Sequence, residues 1–224
     1  MATLTERELV ERFSALGVVP VVTIDDPSLA PALGRALQAG GLPAAEVTFR
    51  TPAAADSIAE LRAQCPDLLV GAGTVCDLAC AKAAVAAGAQ FCVSPGIPAE
   101  ALDWCLSEGV PFVPGVATPT EVMRARERGV KALKLFPAQV LGGPALIKAL
   151  AGPFADVHFM CTGGVRLDSA ADYLAQPTVF CVGGTWVALP TALASHDLAT
   201  VERLCREASA EVARIRRAPA PHVA

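Results

Sequence analysis

The stretch LLVGAGTV (residues 68–75), followed by LACAKAAVAA (78–87) and QFCVS (90–94), places an alanine-rich segment between two short apolar runs. Short apolar runs with β-branched residues favour strands, and the longer segment between them favours a helix. Gly88 follows that segment, where helices commonly end. The stretch is therefore typical of a strand-helix-strand unit, which joins parallel strands in α/β proteins.

The same alternation extends outward over most of the chain. Eight strands are predicted, at 17–24, 44–50, 68–75, 90–94, 111–116, 132–136, 157–162 and 178–182. Helices are predicted near 27–39, 52–64, 78–87, 98–108, 119–128, 143–150, 168–174 and 198–214. Eight similar units favour an α/β fold of the (β/α)₈ TIM-barrel type. An open doubly wound sheet contains the same units, and periodicity alone does not exclude it.

The two ends of the chain lie outside this repeat. Residues 5–16 have an amphipathic pattern of their own, and we expect an N-terminal helix that covers one end of the barrel. Residues 218–224 contain two prolines and no periodicity, which predicts a frayed tail. No linker divides the remainder, so we expect a single domain over residues 1–217.

Composition excludes several classes of function. Hydrophobic residues make up 53% of the chain, charged residues 18%, and the net charge is −4 with scattered basic residues. This pattern argues against a nucleic-acid partner and against binding to a membrane surface. No apolar run reaches the length of a membrane-spanning helix. The eight cysteines lack the regular spacing of a disulfide framework, so we expect reduced thiols in a cytoplasmic protein, with Cys92, Cys161 and Cys181 in packing roles.

Metal and cofactor chemistry find little support in the sequence. The three histidines, His158, His196 and His222, are dispersed, and no two have the spacing of metal ligands. The first predicted strand is followed by Asp25-Asp26-Pro27 in place of a glycine-rich dinucleotide turn. We therefore expect neither a metal nor a cofactor.

A lysine on the sixth predicted strand is the principal catalytic candidate. Alternation in Ala132-Leu133-Lys134-Leu135-Phe136 directs the two leucines toward the helices and Lys134 into the barrel. Burial disfavours the charged form of an amine, and the neutral amine is the form that attacks a ketone to give a Schiff base. The alternative is a structural lysine paired with a carboxylate.

Two charged residues on the second strand share the inward parity. Glu46 and Arg50 lie on the same face as Thr48, so a carboxylate and a guanidinium also point into the barrel. Glu46 suits a general acid and base, and Arg50 suits a substrate carboxylate. Buried ion pairs often fail to repay the cost of their desolvation, so three inward charged residues, Lys134, Glu46 and Arg50, favour a functional explanation. A purely structural salt bridge among the three is the alternative.

Small and hydroxyl residues follow several other strands. Thr74 ends Gly71-Ala72-Gly73-Thr74 and can donate to a carboxylate, although such an end is commonly only a turn. Pro95 in Ser94-Pro95-Gly96 is placed to shape a pocket wall. Thr162-Gly163-Gly164 and Gly183-Gly184-Thr185 follow the seventh and eighth strands, the usual position of a phosphate site built from backbone N–H groups and a helix N-terminus. The sequence thus predicts a phosphorylated substrate.

With these motifs in place, the sequence resembles the bacterial 2-keto-3-deoxy-6-phosphogluconate (KDPG) and 4-hydroxy-2-oxoglutarate (KHG) aldolase family over nearly its whole length. The resemblance is carried by an ordered set of motifs: Val18-Val19-Pro20-Val21, Glu46-Val47-Thr48-Phe49-Arg50-Thr51, Gly71-Ala72-Gly73-Thr74-Val75, Ser94-Pro95-Gly96, Pro114-Gly115-Val116, Lys134-Leu135-Phe136-Pro137-Ala138, Ala151-Gly152-Pro153-Phe154, Thr162-Gly163-Gly164-Val165 and Val182-Gly183-Gly184-Thr185-Trp186.

The resemblance implies a class I aldolase that cleaves KDPG to pyruvate and glyceraldehyde 3-phosphate. It implies that Lys134 forms the Schiff base and Glu46 is the acid and base. Arg50, Thr74, Pro95 and Phe136 would surround the pyruvate portion. Thr162, Gly163, Gly164, Gly184 and Thr185 would hold the phosphate. It also implies a cytosolic homotrimer without a metal.

Several residues depart from the family pattern at positions that bear on substrate preference. Thr185 stands where many family members have Ser, Gln139 where a Glu is common, and Ala117 and Pro119 in a segment that is often rich in Ser and Thr. KHG and the galactonate epimer of KDPG are alternative substrates for the same lysine. A non-catalytic barrel that binds phosphorylated metabolites is an alternative from another class, against which the inward Lys134 beside Glu46 argues.

Overall fold

A computed structural model describes residues 4–217. The strand segments, in chain order, are β1 (Val18–Val22), β2 (Ala44–Thr48), β3 (Leu69–Gly73), β4 (Cys92–Val93), β5 (Phe112–Val113), β6 (Gly115–Val116), β7 (Ala132–Leu135), β8 (His158–Thr162) and β9 (Val179–Gly184). All pair in parallel in one sheet of order β5-β4-β3-β2-β1-β9-β8-β7-β6.

The barrel closes at its fifth strand. The two ends of the sheet order, β5 and β6, are separated in the chain only by Pro114, so they are two halves of one strand. Proline has no N–H to donate to a ladder, and it commonly interrupts strands for that reason. The predicted TIM barrel is confirmed, whereas the unbroken strand predicted at 111–116 was wrong.

Helices alternate with the strands as predicted. They are α1 (Glu6–Leu16), α2 (Ala30–Ala39), α3 (Ala54–Gln64), α4 (Leu78–Ala86), α5 (Ala99–Ser107), α6 (Pro119–Glu127), α7 (Pro144–Ala151), α8 (Ala170–Leu174), α9 (Pro190–Ala194) and α10 (Leu198–Arg217), with a 3₁₀ turn at Pro27–Leu29. The sequence pattern did not predict α9, since its five residues are too few to establish a helical period. Because α8 begins at Ala170, no helix follows Gly164 directly.

The first helix closes the N-terminal end of the barrel. A capping box between Thr5 and Glu8 starts α1. Its buried residues Leu9 and Phe13 pack inside the barrel in a cluster at the beginnings of the strands, with Val19, Ala44, Leu69, Phe91, Val93, Val113, Ala132, Met160, Phe180 and Cys181. The predicted covering helix is therefore present, and it leaves the opposite end of the barrel free for a site.

The larger core lies between the strands and the surrounding helices. Val47, Leu133 and Leu135 belong to it, which confirms the predicted parity of β2 and β7. Among residues 4–217 no helix is long and apolar enough to cross a membrane. The predicted frayed tail, 218–224, lies outside the described residues.

Candidate active site

A cavity opens where the strands end, at the face of the barrel opposite α1. Its volume is about 300 Å³. The lining residues are Val21, Arg50, Lys134, Phe136, Thr162, Gly163, Gly164, Val165, Gly183, Gly184 and Thr185. Most of the residues proposed from the sequence thus come together from β2, β7, β8 and β9 and the turns that follow them.

Lys134 and Glu46 form a direct ion pair at the floor of this cavity. Lys134 Nζ donates to Glu46 Oε1 at 3.2 Å, and the two residues are only 5% and 1% exposed. The Phe136 ring centroid lies 5.5 Å from Nζ. The other carboxylate oxygen, Glu46 Oε2, is buried and has no hydrogen-bond partner among the described residues. A buried amine thus lies in contact with an acceptor that has a second oxygen free.

The strand register explains how the two residues meet from distant parts of the chain. Lys134 lies on β7 beside Gly115 of β6 and Met160 of β8, and Glu46 lies on β2 beside Val21 of β1. Inward side chains of a closed barrel converge on its axis, so side chains from strands on opposite sides of the barrel can contact each other there. Thr48 is the next inward-facing residue of β2 after Glu46. Its hydroxyl hydrogen-bonds to Thr23 Oγ1 at 2.8 Å and donates to the Val22 carbonyl. Those bonds fix the end of β2.

Arg50 lies at the rim and does not join the buried ion pair. Its Nε donates to Thr74 Oγ1 at 3.3 Å, and its side chain is exposed at the mouth of the cavity. The alternative of one salt bridge among Lys134, Glu46 and Arg50 therefore does not match the observed contacts. A rim guanidinium that retains free donors is suited to an incoming anion.

Thr74 adopts an unusual backbone conformation. Its φ of 58° is in the left-handed region, which β-branched residues rarely occupy. Residues held in such regions cost about 1–3 kcal/mol and cluster at functional sites. The Thr74 hydroxyl accepts the Arg50 bond, so the threonine fixes the guanidinium even though Thr74 does not itself line the cavity. No local pattern in the sequence indicated this conformation.

Pro95 lies on the exposed surface beside the strand break. It is not among the residues that line the cavity. Its backbone packs against Gly115, where a Cβ atom would lie 2.2 Å from the Pro95 carbonyl carbon. Ser94 Oγ donates to the Gly96 carbonyl at 2.6 Å and closes the same turn. The structure therefore places Pro95 against Gly115 of β6, outside the lining of the cavity.

The two glycine-rich turns form one side of the cavity. Gly163 and Gly164 both have positive φ, 98° and 80°, a conformation that glycine adopts without steric cost. Thr162 is buried, and its hydroxyl has no hydrogen-bond partner among the described residues, while Thr185 is exposed at the opposite edge. Such turns present backbone N–H groups to an anion. We call residues 162–164 and 184–185 the cradle.

The cavity also contains residues that the sequence analysis did not select. Val21 follows the inward parity of Val19 on β1, so alternation could have identified it. Val165 simply continues the turn after Gly164. On β9, level with Lys134 in the strand register, burial raises the pKa of the Cys181 thiol well above its usual range, which keeps this inward group neutral. Among residues 4–217, no group of three His, Cys, Asp or Glu side chains could hold a metal ion.

The sequence and fold of the chain are similar to those of known proteins. The profile of KDPG and KHG aldolase matches residues 9–204. The chain is 49% identical over 201 residues to the 2-dehydro-3-deoxy-phosphogluconate aldolase of Pseudomonas aeruginosa, covering 89% of the chain and 91% of the relative. It is 45% identical over 197 residues to the enzyme of the same name from Treponema pallidum, covering 88% and 94%.

Solved structures agree with the sequence comparisons. The KDPG aldolase of Legionella pneumophila superposes with a TM-score of 0.85 at 38% identity, over 88% of this chain and 96% of that one. That crystal structure holds pyruvate captured at low pH as a covalent carbinolamine intermediate. At this coverage and TM-score, the two chains share one fold.

Proposed function

Since the chain belongs to the KDPG and KHG aldolase family, we propose that it is a class I aldolase that cleaves KDPG to pyruvate and glyceraldehyde 3-phosphate. The observation that carries the proposal is the buried contact between Lys134 Nζ and Glu46 Oε1 at the floor of the cavity. An amine that is desolvated beside a proton acceptor is the arrangement that Schiff-base chemistry requires.

The contact gives the first step a direct proton route. A charged ammonium cannot attack a carbonyl, and Glu46 Oε1 is close enough to take a proton from Nζ as the substrate enters. The neutral amine then adds to C2 of the 2-keto acid to give a carbinolamine. Glu46 then returns the proton to the carbinolamine hydroxyl, which leaves as water, so that the protonated imine forms and Glu46 is again a carboxylate.

Glu46 serves again in the cleavage step. The carboxylate removes the proton from the C4 hydroxyl, directly or through a water, and the C4 carbonyl of the aldehyde forms as the C3–C4 bond breaks. The electron pair of that bond moves into the enamine on Lys134, with the protonated imine as its sink. Proton return to C3 and hydrolysis then release pyruvate and restore the amine.

The remaining site residues hold the two ends of the substrate. Arg50, oriented by Thr74, would bind the carboxylate, and Phe136 would pack against the three-carbon portion. Pro95 would support this end of the site through its contact with Gly115. The cradle, Thr162, Gly163, Gly164, Gly184 and Thr185, would bind the phosphate through backbone N–H and hydroxyl groups. The size of the cavity, about 300 Å³, suits a small metabolite. KHG, which lacks a phosphate, would use the same lysine without the cradle.

The proposal also covers the domain organisation, the cellular location and the oligomeric state of the protein. We place one barrel domain over residues 1–217, supported by the single continuous sheet and its enclosing helices. The sequence resemblance supports a cytoplasmic homotrimer. Light scattering coupled to size-exclusion chromatography tests the trimer, and a mass equal to one chain would contradict it.

Covalent trapping tests the mechanism. Incubation with pyruvate and borohydride, followed by peptide mass spectrometry, should show a reduced adduct on Lys134 that Lys134→Ala abolishes. Lys131→Ala is the matched control, since Lys131 lies in the same segment but is exposed and paired with Asp156. An unmodified Lys134 would contradict the proposal and favour a barrel that only binds metabolites. Turnover of KDPG, followed through pyruvate release, then tests the substrate.

A further inference from the structure

The turn after β7 supports residues 162–164 of the cradle, which we call its glycine arm. Gln139 N donates to the Gly163 carbonyl at 3.0 Å, and Ala138 N donates to the Thr162 carbonyl at 2.8 Å. A Cβ atom on Gly164 would lie 2.5 Å from Gln139 Cβ, so the Gly164 backbone packs directly on the Gln139 side chain. The position of Gln139 thus determines where Gly163 and Gly164 lie.

Tyr173 in turn fixes Gln139. Its hydroxyl donates to Gln139 Oε1 at 2.8 Å, although Gln139 itself is exposed. Tyr173 is 1% exposed and belongs to α8, the helix that follows the glycine arm in the chain. Burial raises the pKa of the Tyr173 hydroxyl, so it keeps its proton and remains a donor at ordinary assay pH. The hydrogen bond joins the segment before β8 to the segment after it.

We propose that Tyr173 is a positioning residue which, through Gln139, holds Gly163 and Gly164 for the substrate phosphate and so selects phosphorylated over non-phosphorylated 2-keto acids. The inference rests on the proposed function. A cradle of backbone N–H groups binds well only when its supporting shell fixes it to within about 0.5 Å. Tyr173 and Gln139 are part of that shell for the glycine arm. Neither residue lines the cavity, so their effect is confined to geometry.

Steady-state kinetics with two substrates test the inference. In Tyr173→Phe we expect KM for KDPG to rise about three- to tenfold, the range set by loss of one neutral hydrogen bond, with kcat nearly unchanged. KM for KHG should stay within twofold of the unmodified protein, and so should imine trapping by pyruvate. Gln139→Ala should have the same effect, and the double variant should be no worse than the single ones. Non-additivity of this kind identifies residues that act through one contact.

The controls separate positioning from stability. Ser57→Ala removes another buried hydroxyl from a helix, one with no hydrogen-bond partner among the described residues, and should leave both KM values unchanged. If Tyr173→Phe folds poorly, Gln139→Ala alters an exposed side chain and still answers the question. Unchanged KM for KDPG in both variants, or an equal rise for both substrates, would overturn the inference alone. Turnover of neither substrate by the unmodified protein would overturn the proposed function and this inference together.

Discussion

A Cβ atom on Gly73 would lie 2.3 Å from Glu46 Oε1, a separation that real Cβ contacts essentially never show. Gly73 is the last residue of β3, next to β2 in the barrel. The same carboxylate oxygen accepts the hydrogen bond from Lys134 Nζ. The absence of a side chain at residue 73 is therefore what lets the carboxylate reach the lysine.

Gly73→Ala should displace the carboxylate and lower kcat. A misplacement of about 1 Å at a reacting group can cost on the order of 10²-fold in rate, and we expect a loss of that order. Steady-state assay of KDPG cleavage measures it. Gly96→Ala is the matched control, because a Cβ there meets nothing within 4 Å. Full activity in Gly73→Ala would show that Glu46 can act from another position.

Thr74→Gly should make the protein more stable and a poorer enzyme. The substitution removes the strain of a β-branched residue at positive φ, but glycine adds conformational entropy to the unfolded chain. The net effect should be a free energy of unfolding that is higher by about 1 kcal/mol. Loss of the hydroxyl frees Arg50 and should raise KM for the keto acid. Urea unfolding and steady-state kinetics measure the two effects. A fall in stability would mean that the conformation of Thr74 is not strained.

The sequence predicted the barrel because each strand-helix unit carries its own local signals. Prolines and glycines at the ends of the units, such as Pro98 and Gly88, mark boundaries through backbone chemistry alone. The strand break at Pro114 was missed because the apolar run continues through it. Parity placed Lys134 and Glu46 on the inner face, since alternation is a local property of a strand.

The contacts within the site depend on distances between strands, which no local signal encodes. Parity grouped Arg50 with Glu46, but β2 ends at Thr48 and Arg50 turns to Thr74 at the rim. The support of Gly164 by Gln139 likewise joins segments that meet only after the barrel closes. The glycine turns were identifiable from sequence, whereas the residues that hold them in place were not.

Phe13→Ala should destabilise the protein without changing its chemistry. The Phe13 ring lies 5.0 Å from that of Phe91, edge to face, and 6.5 Å from that of Phe180, stacked. Truncating a buried Phe costs about 3–5 kcal/mol, and Phe13→Leu should cost less because it leaves a smaller cavity. Because Phe13 lies at the end of the barrel opposite the cavity, kcat of the folded protein should be unchanged. Chemical unfolding and kinetics at low temperature check both expectations, and a large fall in kcat would contradict them.

Lys134 and Glu46 should also depend on each other for stability. Removing one partner of a buried ion pair leaves an uncompensated charge, which costs about 3–5 kcal/mol. Lys134→Met leaves the buried Glu46 carboxylate without a partner, so the free energy of unfolding of this variant should fall by about 3–5 kcal/mol. Adding Glu46→Gln removes the orphaned charge and should recover much of the loss, while both variants stay inactive and form no pyruvate adduct. Urea unfolding of the single and double variants gives the coupling between the two sites. Strictly additive losses would show that the pair contributes no mutual stabilisation, and that Glu46 is held in place by the barrel wall alone.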